Sequence, residues 1–317
     1  MNENDSIDVV IPAHIKDTDT LEICIDSVKK NIIGLNNVYV VSRTKLTNNA
    51  IWYQEDKLPF NLEFIASKIG KHRKTCWYYA DLLQGTLPLL IPELLNNVLI
   101  LDSDTIFLRP IKLVKNGISQ FNTSPSDGMP SYYEYIQRLL PNLNRQYIES
   151  GVTHFILIRR DILKDLFNRV EKLYNKPFWE AAIDTTLQNY ININRNDHAK
   201  SQGKMANYEL YFTFVLKYHR EKCNINKLNS IMSYKGWLGI KGYTEGKPSR
   251  TNKTNRAIQI INPNIEKTFN FKSITESINH ISHICANLGY DTITFQNHQR
   301  IGSENNSKIN RTYVNSI

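Results

Sequence analysis

The stretch Val98-Leu99-Ile100-Leu101-Asp102-Ser103-Asp104-Thr105-Ile106-Phe107-Leu108-Arg109-Pro110 decides our interpretation of the fold. Its opening aliphatic run, bounded by Asn96-Asn97, is too short for a helix and predicts a strand buried on both faces. Two carboxylates follow at once, and the apolar run from Thr105 to Leu108 predicts a further strand. At the carboxyl end of a parallel strand the chain enters the crevice in which α/β proteins bind ligands. We therefore expect Asp102 and Asp104 to face such a crevice.

The spacing of these two aspartates suits a divalent cation. Mg²⁺ or Mn²⁺ is usually bound by one or two carboxylates together with substrate phosphates. Most short Asp-x-Asp patterns are turn or cap residues, but the strands predicted on both sides favour the metal here. Phosphatases of the haloacid dehalogenase type also carry Asp-x-Asp after an apolar strand, and Asp102 would then be the nucleophile. That alternative stays open, although a full strand-helix-strand unit precedes Asp102 and no later Gly-Asp-rich motif follows.

The strand-helix-strand unit begins near the start of the chain. Ile7 to Ala13 predicts a first strand, Asp19 and Glu22 form a variant of the capping box for a helix, and Val38 to Val41 predicts a second strand. The unit lacks Gly-x-Gly-x-x-Gly, so we do not expect a dinucleotide Rossmann site. We predict an α/β, Rossmann-like fold with a mostly parallel central sheet and flanking helices.

Basic residues follow Leu62 to Ala66, which we predict to be a third strand. Lys71 and Arg73 belong to a cluster of cations directly ahead of a predicted helix. Cations at a helix start oppose the macrodipole, so their clustering there favours a bound anion such as a diphosphate. A solvated basic loop is the alternative.

The composition agrees with a globular protein that handles anionic ligands. The chain has 317 residues, 41% of them hydrophobic, and a formal net charge of +9. Its Lys and Arg residues are scattered, which argues against nucleic acid as a partner. The four cysteines lack metal-ligand spacing and are typical of reduced thiols. The polar, acidic N-terminus and the lack of a long apolar run predict a soluble cytoplasmic protein without a membrane span.

The C-terminal third offers fewer signals. Residues 235–256 are rich in glycine and basic residues, and form either a lid or a disordered segment. Thr292 to Phe295 predicts a last strand, which ends shortly before His298. Residues 303–317 are polar and predict a flexible tail.

Several short motifs together resemble a poorly characterised family of bacterial and viral glycosyltransferases with the GT-A fold, and more distantly glycosyltransferase family eight. The motifs are Arg73…Trp77-Tyr78, Leu101-Asp102-Ser103-Asp104-Thr105, Ser150-Gly151…His154, Phe178-Trp179 and Tyr208-Glu209…Tyr211-Phe212. The resemblance covers about residues 7–218. It implies a single GT-A-like domain, which we place at residues 1–302, with a nucleotide-sugar half at 1–110 and an acceptor-side half at 111–302.

The same resemblance implies an activity and its partners. Asp102-Ser103-Asp104 resembles the D-x-D motif of enzymes that use nucleotide sugars. The implied reaction is metal-dependent transfer of a sugar from a nucleotide diphosphate sugar, for which we expect a UDP-sugar, to a hydroxyl of a glycan, protein or small-molecule acceptor. The cofactor would be Mn²⁺ or Mg²⁺. A non-catalytic sugar- or nucleotide-binding protein is a further alternative.

Roles for single residues also follow from the resemblance. Asp102 and Asp104 would bind the metal, to which His298 would return from the C-terminal region; a surface histidine is the alternative for His298. The residues expected to bind the donor are Pro12, Ala13, His14, Ser42, Arg43, Lys71, Arg73 and Ser103. Glu209, near the start of a predicted helix, would be the general base, because inverting enzymes commonly present an acidic residue to the acceptor hydroxyl. Its alternative role is to complement the helix dipole.

Overall fold

The computed structural model describes residues 5–69, 73–124, 130–191, 205–234 and 274–296. The chain divides into two compact units. The first comprises Met1–His14, Ile32–Asp102 and Lys112–Lys227, and the second comprises Ile15–Asn31, Ser103–Ile111 and Leu228–Ile317. The single domain predicted over residues 1–302 stays a prediction. The segment 235–256 and the tail 303–317 lie outside the described residues.

Five strands form the central sheet of the first unit, in the order β3-β2-β1-β4-β8. Their bounds are β1 Ile7–Pro12, β2 Leu35–Ser42, β3 Ile51–Gln54, β4 Asn97–Leu101 and β8 Phe155–Arg159. β1, β2, β3 and β4 run parallel, and β8 pairs with β4 in the antiparallel direction. The predicted α/β class and the mostly parallel central sheet are therefore confirmed.

Helices flank this sheet, and their apolar stripes form the main core. The helices of the first unit are α2 Leu62–Ile69, α3 Arg73–Leu90, α4 Pro130–Leu139, α5 Arg160–Tyr174, α6 Phe178–Ile191 and α7 Asn207–Tyr218. Leu83 and Leu87 of α3 share one buried cluster with Val10 of β1 and Ile100 of β4. Three short strands, β6 Val114–Lys115, β7 Ile118–Phe121 and β9 Cys223–Ile225, form a second sheet in this unit.

One predicted strand is wrong, because Leu62 to Ala66 begins helix α2 instead. Asn61 Oδ1 accepts a hydrogen bond from Phe64 N at 2.8 Å, which is the side-chain cap of a helix start. Leu62 and Ile65 are the buried residues of α2, and their spacing of three matches one stripe of a helix.

In the described part of the second unit, a small three-stranded sheet is accompanied by two α-helices. Its elements are α1 Thr18–Asn31, β5 Thr105–Phe107, β10 Ser230–Tyr234, α8 Ile274–Asn287 and β11 Thr292–Gln296. β11 lies between β10 and β5, parallel to the former and antiparallel to the latter. Ile106, Ile278 and Ile293 meet in its buried core. The strands predicted over Thr105 to Leu108 and Thr292 to Phe295 are thus confirmed as β5 and β11. No helix in the described ranges is both long and apolar enough to cross a membrane.

The order of the strands in the central sheet reverses beside β1. The chain proceeds from β1 to β2 on one side, whereas β4 joins β1 on the other side. Such a reversal is a topological switch point, and ligands of open α/β sheets bind outside the carboxyl ends of the strands there. The segments that end at this point are Pro12 to His14 after β1 and Asp102 after β4.

Asp8 stabilises the opposite end of the sheet. Its side chain is fully buried, and its oxygens accept hydrogen bonds from Asn36 Nδ2 at 2.8 Å, Asn37 N at 3.1 Å and Leu95 N at 2.7 Å. Asp8→Asn turns one acceptor into a donor against these donors. We expect the free energy of unfolding to fall by about 2 kcal/mol, measured by urea denaturation. The exposed Asp26→Asn is the control, and equal midpoints for the two variants would contradict this role.

Candidate functional site

Asp102 is held in a fixed orientation at the carboxyl end of β4. Gln84 Nε2 donates a hydrogen bond to Asp102 Oδ1 at 2.6 Å, and His154 Nδ1 lies 3.1 Å from Asp102 Oδ2. The backbone adds a further contact, because Asp102 N donates to His154 O at 3.0 Å. The Asp102 side chain nevertheless stays 29% exposed. A carboxylate fixed by two side chains and still open to solvent is suited to bind a ligand.

The fold explains why these two partners meet Asp102. β8 pairs with β4 so that Phe155 lies opposite Leu101, and the next pair outward is His154 opposite Asp102. Gln84 lies on α3, which packs against β4. His154 was expected only as part of a motif in the family resemblance, and Gln84 was not predicted. The available signal for Gln84 was a polar residue within the apolar Leu82-Leu83-Gln84 run.

A divalent cation fits the chemistry of this site. Carboxylate ligands of metals are commonly hydrogen-bonded themselves, as Asp102 is by Gln84 and His154. No group of three or more His, Cys, Asp or Glu residues within the described ranges could hold a metal ion. Mg²⁺ is commonly bound by one or two carboxylates, with waters and substrate phosphates as its other ligands.

The two other predicted metal ligands are Asp104 and His298. Asp104 precedes β5, its side chain is half-buried, and its carbonyl oxygen accepts a hydrogen bond from Phe295 N at 2.9 Å. His298 lies beyond the last residue that the structure describes. The metal site on Asp102, Asp104 and His298 stays a prediction.

Asp81 lies one turn before Gln84 on α3 and joins that helix to α7. Its carboxylate oxygens are 3.3 and 3.2 Å from Asn207 N, and Asn207 Nδ2 donates to Asp81 O at 3.0 Å. Gly85 permits this approach, since a Cβ there would lie 2.6 Å from Asn207 Cβ. Burial raises the pKa of Asp81 to about 7, and the charge of Asp102 adds to the rise.

Glu209 is a buried carboxylate in the first turn of α7, with 1% of its surface exposed. Its Oε2 accepts hydrogen bonds from Ser150 Oγ at 2.5 Å and Gly151 N at 2.8 Å, and its Oε1 accepts one from Thr213 Oγ1 at 3.2 Å. These contacts fix the segment before His154 and the strand β8, which begins at Phe155. Glu209 thus has a positioning role, and its role as general base stays a prediction.

Four of the predicted donor-binding residues lie along the carboxyl edge of the central sheet. Pro12 ends β1, and Ala13 N donates a hydrogen bond to Val41 O at 3.0 Å, so the chain stays beside β2. His14 is exposed at this edge. Ser42 is buried at the end of β2, and its hydroxyl donates to Thr44 O at 2.8 Å.

Arg43 lines a polar cleft farther along the same edge. The cleft is lined by Arg43, Glu55, Asp56, Asn61, Glu63 and Tyr79. Arg43 forms ion pairs with Glu55 at 3.6 Å and with Glu63 at 3.8 Å. Pairs this exposed contribute little to stability, so a ligand can replace them at low cost. The donor-binding role of Arg43 stays a prediction.

The remaining donor-binding residues are placed only in part. Lys71 lies outside the described residues. Arg73 is the first residue of α3, and its side chain is not described. Ser103 is buried and belongs to the second unit. The structure therefore brings Pro12, Ala13, His14, Ser42, Arg43 and Asp102 to one edge of one sheet.

Comparisons with known proteins give structural likenesses, but no likeness in sequence. No family model matches the chain, and no curated protein matches it. Its structure is similar to the crystal structure of mouse xyloside xylosyltransferase 1 in the apo form. The identity is 10%, the TM-score is 0.36, and the match covers 72% of this chain and 87% of that chain.

Proposed function

We propose that the protein transfers a sugar from a nucleotide diphosphate sugar, with a UDP-sugar as the expected donor, to a hydroxyl acceptor. The observation that carries this proposal is the placement of Asp102, at the switch point of a mostly parallel sheet, between Gln84 and His154. The D-x-D resemblance and the net charge of +9, which favours anionic ligands, support it as well.

In this proposal Asp102 and Asp104 hold Mn²⁺ or Mg²⁺. Only Ser103 separates them in the chain. The cation would neutralise the charge that develops on the leaving diphosphate. Gln84 and His154 keep the Asp102 carboxylate in one orientation, so little reorganisation is needed when the donor binds. Pro12, Ala13 and His14 would bind the nucleoside at the end of β1.

A thermal-shift screen tests the proposal. The probes are UDP-glucose, UDP-galactose, UDP-N-acetylglucosamine and GDP-mannose, each with Mn²⁺ and with a chelator. A donor that binds only the folded state adds about 2.7 kcal/mol at one hundred times its Kd, so the Tm should rise by several degrees. The rise should vanish with the chelator.

Two other outcomes would contradict it. A Tm rise with sugar phosphates, together with phosphate release and a covalent phosphate on Asp102, would support the phosphatase. A Tm rise with free sugars or nucleotides, but no turnover of any nucleotide sugar, would support a binding protein.

A further inference from the structure

The outer edge of strand β3 is open in the first unit. β3 is the first strand in the order of the central sheet, and within the described ranges it pairs only with β2. The outer side of such a strand presents backbone N–H and C=O groups with which another strand can pair. The strand at the opposite edge, β8, is covered instead, because four of its five residues are buried and Arg159 N donates a hydrogen bond to Tyr211 Oη at 2.8 Å.

β3 lacks the features with which proteins usually protect an open edge. Edge strands commonly carry a Lys, a Pro or a β-bulge that prevents pairing with another chain. The sequence of β3 is Ile51-Trp52-Tyr53-Gln54, without charge or proline. All four residues pair with β2 in one continuous register, so the strand has no bulge. An edge of this kind readily accepts a further strand.

An apolar side chain is exposed on each face of this edge. Ile51 is 46% exposed and Trp52 is 37% exposed. Because they are neighbours in a strand, their side chains point to opposite faces of the sheet. Trp52 Nε1 donates a hydrogen bond to Ser42 O at 3.1 Å, so the indole ring is held against β2 and leaves the outer side of β3 open. A strand added beside β3 would cover both side chains.

We propose that this added strand is β3 of a second copy of the chain, which pairs in the antiparallel direction about a two-fold axis. An axis perpendicular to the sheet brings residues of the same face opposite each other. With Trp52 opposite Trp52 of the second copy, Ile51 lies opposite Tyr53. Aromatic pairs and pairs of an aromatic with a β-branched residue are those that stabilise neighbouring strands. The pairing joins two five-stranded sheets into one.

The distribution of charge favours a second copy as the partner. β3 itself has no charged residue, so self-pairing places no like charges opposite each other. In the same register the acidic residues after β3, Glu55 and Asp56, come next to Asn49 and Asn48 of the second copy and away from their own counterparts. An amide can donate a hydrogen bond to a carboxylate. The edge is therefore complementary to itself.

The pairing leaves the candidate site accessible. In antiparallel strands the carboxyl ends point in opposite directions, so the Asp102 carboxylates of the two copies would lie at opposite edges of the joined sheet. Neither Ile51 nor Trp52 belongs to the proposed donor site. The dimer should thus have the same turnover per chain as a monomer, and its existence does not depend on the proposed function.

Light scattering after size-exclusion chromatography tests the dimer. We expect the wild type to have twice the 36.8 kDa mass of one chain. Trp52→Lys places two like charges opposite each other, and Ile51→Lys places a charge against Tyr53, so both variants should have the mass of one chain. Circular dichroism checks that they are folded. Ile148→Lys is the matched control, because Ile148 is an exposed isoleucine outside β3, and this variant should stay dimeric.

Disulfide formation tests the register. Residues directly opposite each other in antiparallel strands have Cα atoms about 5 Å apart, which suits a disulfide. Trp52→Cys should therefore link two copies under a mild oxidant, whereas Tyr53→Cys, opposite Ile51, should not. The wild type with its four native cysteines is oxidised alongside as the control.

Three results would overturn the proposal. The first is a wild type with the mass of one chain even at high micromolar concentration. The second is a dimer that both lysine variants leave intact, which would place the contact on another surface. The third is equal linkage, or equal absence of linkage, in Trp52→Cys and Tyr53→Cys, which would contradict the antiparallel register.

Discussion

Asp102→Asn is expected to lower metal-dependent turnover of a nucleotide sugar by about 10³-fold and to leave the fold intact. The change removes one negative charge from the proposed metal ligand. A catalytic metal contributes several kcal/mol of transition-state stabilisation, and about 4 kcal/mol corresponds to 10³ in rate. Gln84 can still donate to the amide oxygen, and His154 can change tautomer to accept from the amide nitrogen. The same loss of metal dependence is expected for Asp104→Asn.

Asp165→Asn is the matched control for Asp102. Asp165 also pairs with a histidine, His219 Nε2 at 3.0 Å, but it lies on α5 and belongs to no proposed site. Turnover and circular dichroism are measured for both variants. Unchanged Mn²⁺-dependent turnover in Asp102→Asn would contradict the assignment of Asp102 as a metal ligand.

Glu209→Ala is expected to lower the free energy of unfolding by about 4 kcal/mol. It leaves Gly151 N and the hydroxyls of Ser150 and Thr213 without their buried acceptor and opens a cavity. Glu209→Gln keeps an acceptor oxygen, so we expect a smaller loss of stability. A general base contributes 10²–10⁴-fold, so turnover falls by about that much if Glu209 is the base and stays within about tenfold of the wild type if it only positions its neighbours.

Urea denaturation and turnover are measured on both variants. The control is Glu134→Ala at an exposed position, whose free energy of unfolding should lie within about 0.5 kcal/mol of the wild type. A 10²-fold or larger loss of turnover in Glu209→Gln at unchanged stability would contradict a purely positioning role. It would instead support the general base and an inverting reaction.

Much of the fold could be predicted because its buried strands have strong local signals. β1 and β4 are aliphatic runs with polar boundaries, and each was predicted within a residue or two. β3 was not predicted, because its residues Ile51 and Trp52 are exposed at the edge of the sheet. An exposed strand does not need the apolar sequence pattern of a buried one. The apolar sequence from Leu62 to Ala66 is compatible with both a helix and a strand. The N-cap hydrogen bond of the Asn61 side chain stabilises the helix.

The candidate site could be predicted only where the chain itself brings residues together. Asp102 was found because it directly follows a buried strand. Gln84 and Asp81 reach the same place through the packing of α3, and no pattern in the sequence encodes that contact. The contacts of Glu209 with Ser150 and Gly151 could not be predicted either, because they join residues that are distant in the chain.

Metal-dependent transfer from a nucleotide sugar, the central claim, is tested most directly by one measurement. The wild type is incubated with the UDP-sugar or GDP-mannose that raises its Tm, and release of the free nucleoside diphosphate is followed with Mn²⁺, with a chelator, and after Mn²⁺ is restored. The account predicts release with Mn²⁺, none with the chelator, and recovery on restoration. Release at the same rate in the presence of the chelator would contradict it.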